Sequence, residues 1–207
     1  MVSVQKYKLI SLFSGAGGMD LGFEMTGRWR TVVATDVHPM MCETLRRNKG
    51  LPLACGHSYL DGAEIVEGDI QAIDLPSKVT ETGIDIVVGG PPCQSFSVIG
   101  KHGGYNDERG NLIYEFAHIV KAFKPKFFLF ENVPNMKAGK WAKMFSEFLE
   151  FLRFDGDYAV RDYMLSCADY GAATIRRRIF IVGTRSDLKF DVTCPAPTHR
   201  QRGTAGL

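Results

Sequence analysis

The sequence predicts an α/β fold built on a mostly parallel, doubly wound sheet, with one antiparallel strand near its end. Three observations predict it. Short apolar runs such as YKLISLF (7–13) and TVVATD (31–36) have the length and composition of buried strands. Segments such as HPMMCETLRRNKG (38–50) lie between them and carry helix signals, with proline early and glycine late. The two kinds alternate along most of the chain, the rhythm of βαβ units with helices on both sheet faces.

Taken in order, residues 7–13 form the first strand, and SGAGG (14–18) turns the chain into a helix over 19–27 that closes at Gly27. The second strand covers 31–36 and is followed by the helix at 38–50. AEIVEGDI (63–70) and GIDIVVGG (83–90) read as the third and fourth strands. In 110–125, Leu112, Ile113, Phe116, Ile119, Val120 and Phe123 share one helical face. KFFLFENV (126–133) is the fifth strand, and 136–154 is a further amphipathic helix. The last two strands, 158–166 and 177–183, are too close for a helical crossover, so one of them runs antiparallel. Residues 51–62 and the glycine-rich 94–110 are loops, the second long enough to suggest a functional role. The expected organisation is a domain over 1–185 and a linker or tail over 186–207.

Composition narrows the class. The chain has 207 residues, 45% apolar and 23% charged, which suits a packed globular domain. A net charge of +2 does not by itself announce a nucleic-acid partner. The five cysteines are odd in number and contain no CxxC pair, so neither a disulfide framework nor a structural metal site is expected. Cys42 and Cys167 read as small buried hydrophobes. No apolar run approaches the roughly 20 residues that span a bilayer, and the N-terminus lacks a signal-peptide pattern. A cytoplasmic or nucleoid-associated protein is expected.

Several strand ends carry chemistry. In an open parallel sheet, ligands bind beyond the C-terminal ends of the strands. Gly15, Gly17 and Gly18 follow the first strand, and Asp36 ends the second, where a carboxylate suits ribose hydroxyls. The spacing is G-x-G-G, not the G-x-G-x-x-G of diphosphate-binding turns. It therefore favours a nucleoside without a diphosphate, such as S-adenosylmethionine, over a dinucleotide. A tight turn with a solvated Asp is the plain alternative. Asp69 adds a carboxylate at the third strand's end, where a simple turn Asp would also fit. Cys93 follows Pro91 and Pro92 after the fourth strand, a stiff mount for a nucleophile. Glu131 ends the fifth strand after FFLF, where partial desolvation raises a carboxyl toward acid–base use, although a salt-bridged or capping Glu reads the same way. Arg176 and Arg178 share a face by alternation, a solvated surface or a cradle for a polar ring.

FSGAGG, Asp36, GDI, GGPPCQSFS, ERGNL, ENV and RRR, in this order, resemble the catalytic half of the cytosine-C5 DNA methyltransferases from about Leu9 to Gly183. The resemblance implies a Rossmann-like class I methyltransferase fold, S-adenosylmethionine as cofactor and DNA as partner. It implies that Phe13, Gly15, Gly17, Gly18, Asp36, Val37, Asp69, Ile70, Gly90, Pro92 and Leu112 border the donor. It also implies that Cys93 attacks C6 of a flipped cytosine, Glu131 engages N3, and Arg178 with Arg176 holds the O2 side. Ser97 and Arg109 are candidate phosphate contacts.

The sequence departs from the family pattern in places. Thr174 stands where the family has Gln, and Arg177 where it has Glu. Val37 replaces a bulky residue against adenine. The sequence given stops at PAPTHRQRGTAGL, about where target recognition begins in the family. The expectation is a second polypeptide that carries recognition and the closing C-terminal segment, with little turnover by this chain alone. A truncated or remnant gene product, a non-catalytic donor-binding or regulatory module, and a methyltransferase acting on tRNA are the alternatives.

Overall fold

The structure is a computed structural model and describes residues 6–92 and 112–199. The protein is α/β, with seven strands in a mostly parallel sheet and an antiparallel pair near the end. The chain divides into two compact units, Met1–Leu129 and Phe130–Leu207.

The first unit holds β1 (Tyr7–Leu12), β2 (Trp29–Asp36), β3 (Glu64–Glu67) and β4 (Ile86–Gly89). They run parallel in the order β3-β2-β1-β4. Leu9 pairs with Ile86, Ser11 with Val88, and Asp36 with Glu67. Chain order moves from β1 outward to β3 and then returns to the other side of β1 with β4. That reversal opens a crevice at the C-terminal ends of β1 and β4, the place where doubly wound sheets bind ligands.

The helices of this unit are α1 (Gly18–Glu24), α2 (Pro39–Asn48), α3 (Leu75–Lys78) and α4 (Leu112–Phe123). Pro39 opens α2, and the His38 ring accepts a hydrogen bond from Met40 N. Helix α4 buries Ile113, Phe116, Ile119 and Val120, as its spacing requires. Phe116 meets Phe128 edge-on at 6.2 Å, and each ring is fully buried, worth about 1.5–3 kcal/mol apiece. The short α3 was not foreseen; it sits in a stretch with no helical periodicity.

Two buried carboxylates tie the unit together through backbone amides. Glu24, at the end of α1, accepts from Thr31 N and Leu60 N at 2.9 Å each, fastening the 51–62 loop to β2. Asp85, just before β4, accepts from Lys8 N at 2.8 Å and from Lys126 Nζ at 2.7 Å. Such bonds offset the cost of burying charge.

β5 (Phe127–Asn132) starts in the first unit and ends in the second. The second unit contains β6 (Tyr158–Ser166) and β7 (Arg177–Arg185), paired antiparallel from Tyr158–Arg185 to Ser166–Arg177. Phe130 packs on Phe148 of α5 (Ala142–Phe151) at 5.2 Å. The helix expected over 136–154 is shorter than its pattern. Pro134–Lys137 and Gly139–Trp141 form 3-10 turns, because Ala138 is extended and Gly139 has φ +59°. Residues after β7 lie along this unit: Arg161 pairs with Asp191, Tyr163 donates to Val192 O, and His199 N donates to Asp169 O.

Candidate functional site

In the first unit, the residues expected to hold the donor lie at or just after the C-terminal ends of β1 to β4, with Leu112 opening α4. Phe13 takes a left-handed conformation, φ +54°, as β1 gives way to the glycine turn. A non-glycine residue there costs about 1–3 kcal/mol and is typical of functional turns. Ser14 N donates to Thr35 O at 2.9 Å, and Gly15 N donates to Asp36 Oδ2 at 2.8 Å. The glycine turn is thereby fixed to the end of β2. The other Asp36 oxygen accepts from His38 N at 2.8 Å. Each oxygen keeps a second lone pair, and the residue is half-buried, so the carboxylate remains able to accept ribose hydroxyls.

Gly17 is buried at φ +86°, and its carbonyl accepts from the Tyr59 hydroxyl at 3.0 Å. A Cβ on it would lie 2.1 Å from Tyr59 Oη and 2.7 Å from Leu45 Cδ2, so only glycine fits. Gly15 and Gly18 face open space instead. The glycine turn is thus packed at Gly17 and open at Gly15 and Gly18. Val37 and Met40 expose apolar side chains just beyond Asp36 (65% and 68%). Asp69 is exposed, with its Oδ1 accepting from Gln71 N at 3.0 Å, while Ile70 is buried. Gly90 and Leu112 are half-buried, and Pro92 is exposed. An open glycine turn beside a half-buried carboxylate fits a nucleoside with free ribose hydroxyls. Tyr59 was missed from the sequence because it lies in a stretch read only as a loop.

In the second unit, Glu131 ends β5 and Arg178 lies in β7, with Arg178 Nε 2.8 Å from Glu131 Oε1. Burial pushes the Glu131 carboxyl above its ordinary value, and the charges of Arg178 and Arg176, with the Arg178 hydrogen bond, pull it only partly back. Arg176 precedes β7 and is exposed; its carbonyl accepts from Cys167 N at 3.1 Å. Cys167 is half-buried rather than buried, with its thiol donating to Thr174 O at 3.2 Å. Cys42 is fully buried, as expected. Cys93, Ser97 and Arg109 lie outside the described residues.

The family of C-5 cytosine-specific DNA methylases matches residues 7–204. The chain belongs to this family. Among known methylases, it is 41% identical to the Type II methyltransferase M.AquIA of Picosynechococcus, over 93% of this chain and 77% of the relative. It is 40% identical to M.NgoFVII of Neisseria gonorrhoeae, over 99% of this chain but 51% of that protein. The chain therefore spans about three-quarters of one relative and half of the other. A prophage-encoded E. coli protein assigned as a DNA modification methyltransferase has a similar structure. Its TM-score is 0.69 at 27% identity, covering 91% of this chain and 49% of that one. DNMT2 from Spodoptera frugiperda shares the methylase fold at 21% identity, with a TM-score of 0.66 over 90% of this chain and 52% of that one. Among the described residues, no helix is long and apolar enough to cross a membrane.

Proposed function

We propose that the chain is the catalytic part of a DNA cytosine-C5 methyltransferase. In this reading residues 1–185 carry donor binding and chemistry, and 186–207 lead toward target recognition. The observation that carries it is the Glu131–Arg178 pair, in which burial keeps a carboxyl easy to protonate while an arginine 2.8 Å away holds it in place. A carboxyl in that state suits a ring nitrogen that must gain a proton as the ring is attacked.

S-adenosylmethionine, when bound, supplies a methyl group activated on a sulfonium. Asp36 would accept from its ribose, with Gly15, Gly17 and Gly18 beneath its methionine part. Phe13, Val37, Asp69 and Ile70 would border its adenine, with Gly90, Pro92 and Leu112 lining the remainder. The cytosine must leave the duplex, because C6 is out of reach within the stack. The Cys93 sulfur then bonds to C6 as Glu131 gives a proton to N3, so negative charge does not accumulate on the ring. Arg178 and Arg176 hold the O2 side. C5 takes the methyl group and then gives its proton to solvent. The C6–S bond breaks, N3 returns its proton to Glu131, and the C5–C6 double bond is restored.

We further propose that target recognition and the closing segment come from a second polypeptide, and that the assembled enzyme works on DNA in the cytoplasm. The test is trapping on duplex DNA containing 5-fluorocytosine, which blocks the final proton loss. The expected result, with the recognition polypeptide present, is a covalent adduct that disappears in Cys93→Ser. If donor binds but no adduct forms, the non-catalytic module is the better reading. An adduct on tRNA in place of DNA would reassign the substrate.

A further inference from the structure

Away from the crevice, the 51–62 loop of the first unit brings together a thiol, an imidazole and a carboxylate. The loop is a small hairpin: Leu53 N donates to His57 O at 2.8 Å, and Tyr59 N to Leu51 O at 2.8 Å. Gly56, at φ +87°, closes its tip and leaves Cys55 exposed. The Cys55 sulfur lies 3.0 Å from His57 Nδ1 and 3.4 Å from the Glu24 carbonyl. The ring nitrogen is the nearer acceptor for the thiol proton. On the far side of the ring, His57 Nε2 faces Glu24 Oε2 at 3.6 Å, and the two side chains are only 12% and 1% exposed. That Nε2 is buried without a hydrogen-bond partner among the described residues. Because Glu24 is pinned by the amides of Thr31 and Leu60, it is a fixed negative charge at one end of the imidazole. It favours the tautomer with hydrogen on Nε2, which leaves the Nδ1 lone pair aimed at the sulfur.

The other described thiols lack this arrangement. Cys42 is buried, and burial with the neighbouring Asp36 charge pushes its thiol up. Cys167 points at the Thr174 carbonyl, and Cys194 is exposed with its sulfur 3.7 Å from Pro195 O. No cluster of three His, Cys, Asp or Glu side chains among the described residues is arranged to hold a metal ion, so the Cys55 set reads as nucleophile and base.

We propose that Cys55 is a base-assisted nucleophile, positioned by His57 and Glu24, that is modified by low-molecular-weight disulfides. The Cys55 thiol proton passes to His57 Nδ1 as the sulfur attacks one sulfur of the disulfide. A new S–S bond forms, the original one breaks, and its electron pair leaves with the departing thiolate. That thiolate takes the proton from His57. The Cys55 sulfur rises by one formal oxidation level as the departing sulfur falls by one, so the exchange balances with no further reagent.

The test is reaction of the full chain with 4,4′-dithiodipyridine at neutral pH, quenched over time, with the rate at each cysteine read by peptide mass mapping. Cys55 is expected to react at least about tenfold faster than exposed Cys194 in the same molecule, a conservative figure beside the roughly 10²–10⁴ of positioned bases. In His57→Phe and His57→Gln, the Cys55 rate is expected to fall to that of exposed Cys194, with buried Cys42 still protected from the reagent as an internal check on folding. A Cys55 rate no greater than that of Cys194 in the unsubstituted chain overturns the proposal, whatever the variants do. A fast Cys55 that is indifferent to both His57 changes overturns it as well.

Discussion

The Glu131 carboxylate and the Arg178 guanidinium form a 2.8 Å ion pair, yet burial keeps the carboxyl above its ordinary value. Burial opposes the ionised form, while the arginine favours it. The first effect is the larger here, so the group is both anchored and inclined to keep a proton. A fully solvated pair would give the reverse order.

Arg178→Gln is therefore expected to move Glu131 further up, because it removes the guanidinium charge and its hydrogen bond and leaves burial opposed only by Arg176. A carboxyl raised in the folded state contributes stability that is complete below its unfolded value. That contribution is lost as pH rises through the folded one. In Arg178→Gln this loss shifts to higher pH. Carbon-13 NMR of the Glu131 side chain across a pH titration reads the movement directly. A downward movement would contradict the account.

Gly17→Ala is expected to destabilise the first unit by about 2–4 kcal/mol, combining left-handed strain with overpacking. The added Cβ would meet the Tyr59 hydroxyl at 2.1 Å and Leu45 at 2.7 Å. Tyr59→Phe alone removes one hydrogen bond to Gly17 O, a loss of about 1 kcal/mol. The double variant should be more stable than the sum of the two losses, because the closest clash is gone while the Leu45 contact remains. Urea midpoints of the three variants measure this coupling. Strict additivity would mean that Tyr59 is not what excludes a side chain from Gly17.

The sequence made the strands and the crevice legible because both rest on local signals. β1, β2 and β5 are short apolar runs, and the glycine turn and Asp36 sit at the ends of the first two. The antiparallel pairing of β6 and β7 followed from the short connection between them. What stayed hidden depends on distant contacts. Nothing in MDLGFE distinguishes Glu24, pinned by Thr31 and Leu60, from an exposed helical Glu. The Tyr59 contact with Gly17 joins residues 42 apart in sequence. The periodic pattern of 136–154 was read as one helix because amphipathic spacing does not register the turn conformation at Gly139. Glu131 was read with burial and ion pairing as alternatives, and the structure has both.

Asp36→Asn is expected to weaken both donor binding and the fold. The carboxylate takes one backbone N–H on each oxygen, from Gly15 and from His38. An amide has one acceptor oxygen, so one of those N–H groups loses its partner, at about 1–3 kcal/mol if it stays unsolvated. The remaining oxygen is then committed to the backbone, and a ribose hydroxyl loses its charged acceptor. Calorimetric titration with S-adenosylmethionine should show affinity reduced by about tenfold or more, one charge-assisted hydrogen bond being worth about 1.5–3 kcal/mol. Unchanged affinity with a lower urea midpoint would make Asp36 a purely structural tie.

Asp20 lies in the first turn of α1, directly behind the glycine turn. Its side chain is fully buried. Burial pushes its carboxyl up to about 7; the Ser11 hydroxyl on β1 lowers it in part, and the Glu24 charge raises it. In the unfolded chain the same group ionises near 3.8. Between those values the folded state holds a proton that the unfolded state has released, so stability falls as pH rises, by about 1.4 kcal/mol per pH unit for one proton. Asp20→Asn has no proton to lose there. Plotted from pH 5 to pH 8, the stability of the unsubstituted chain should fall relative to Asp20→Asn up to about pH 7 and run parallel to it above. Urea titrations of the two proteins at each pH supply the curves. Parallel curves over the whole range would mean that Asp20 is already ionised in the folded protein at pH 5.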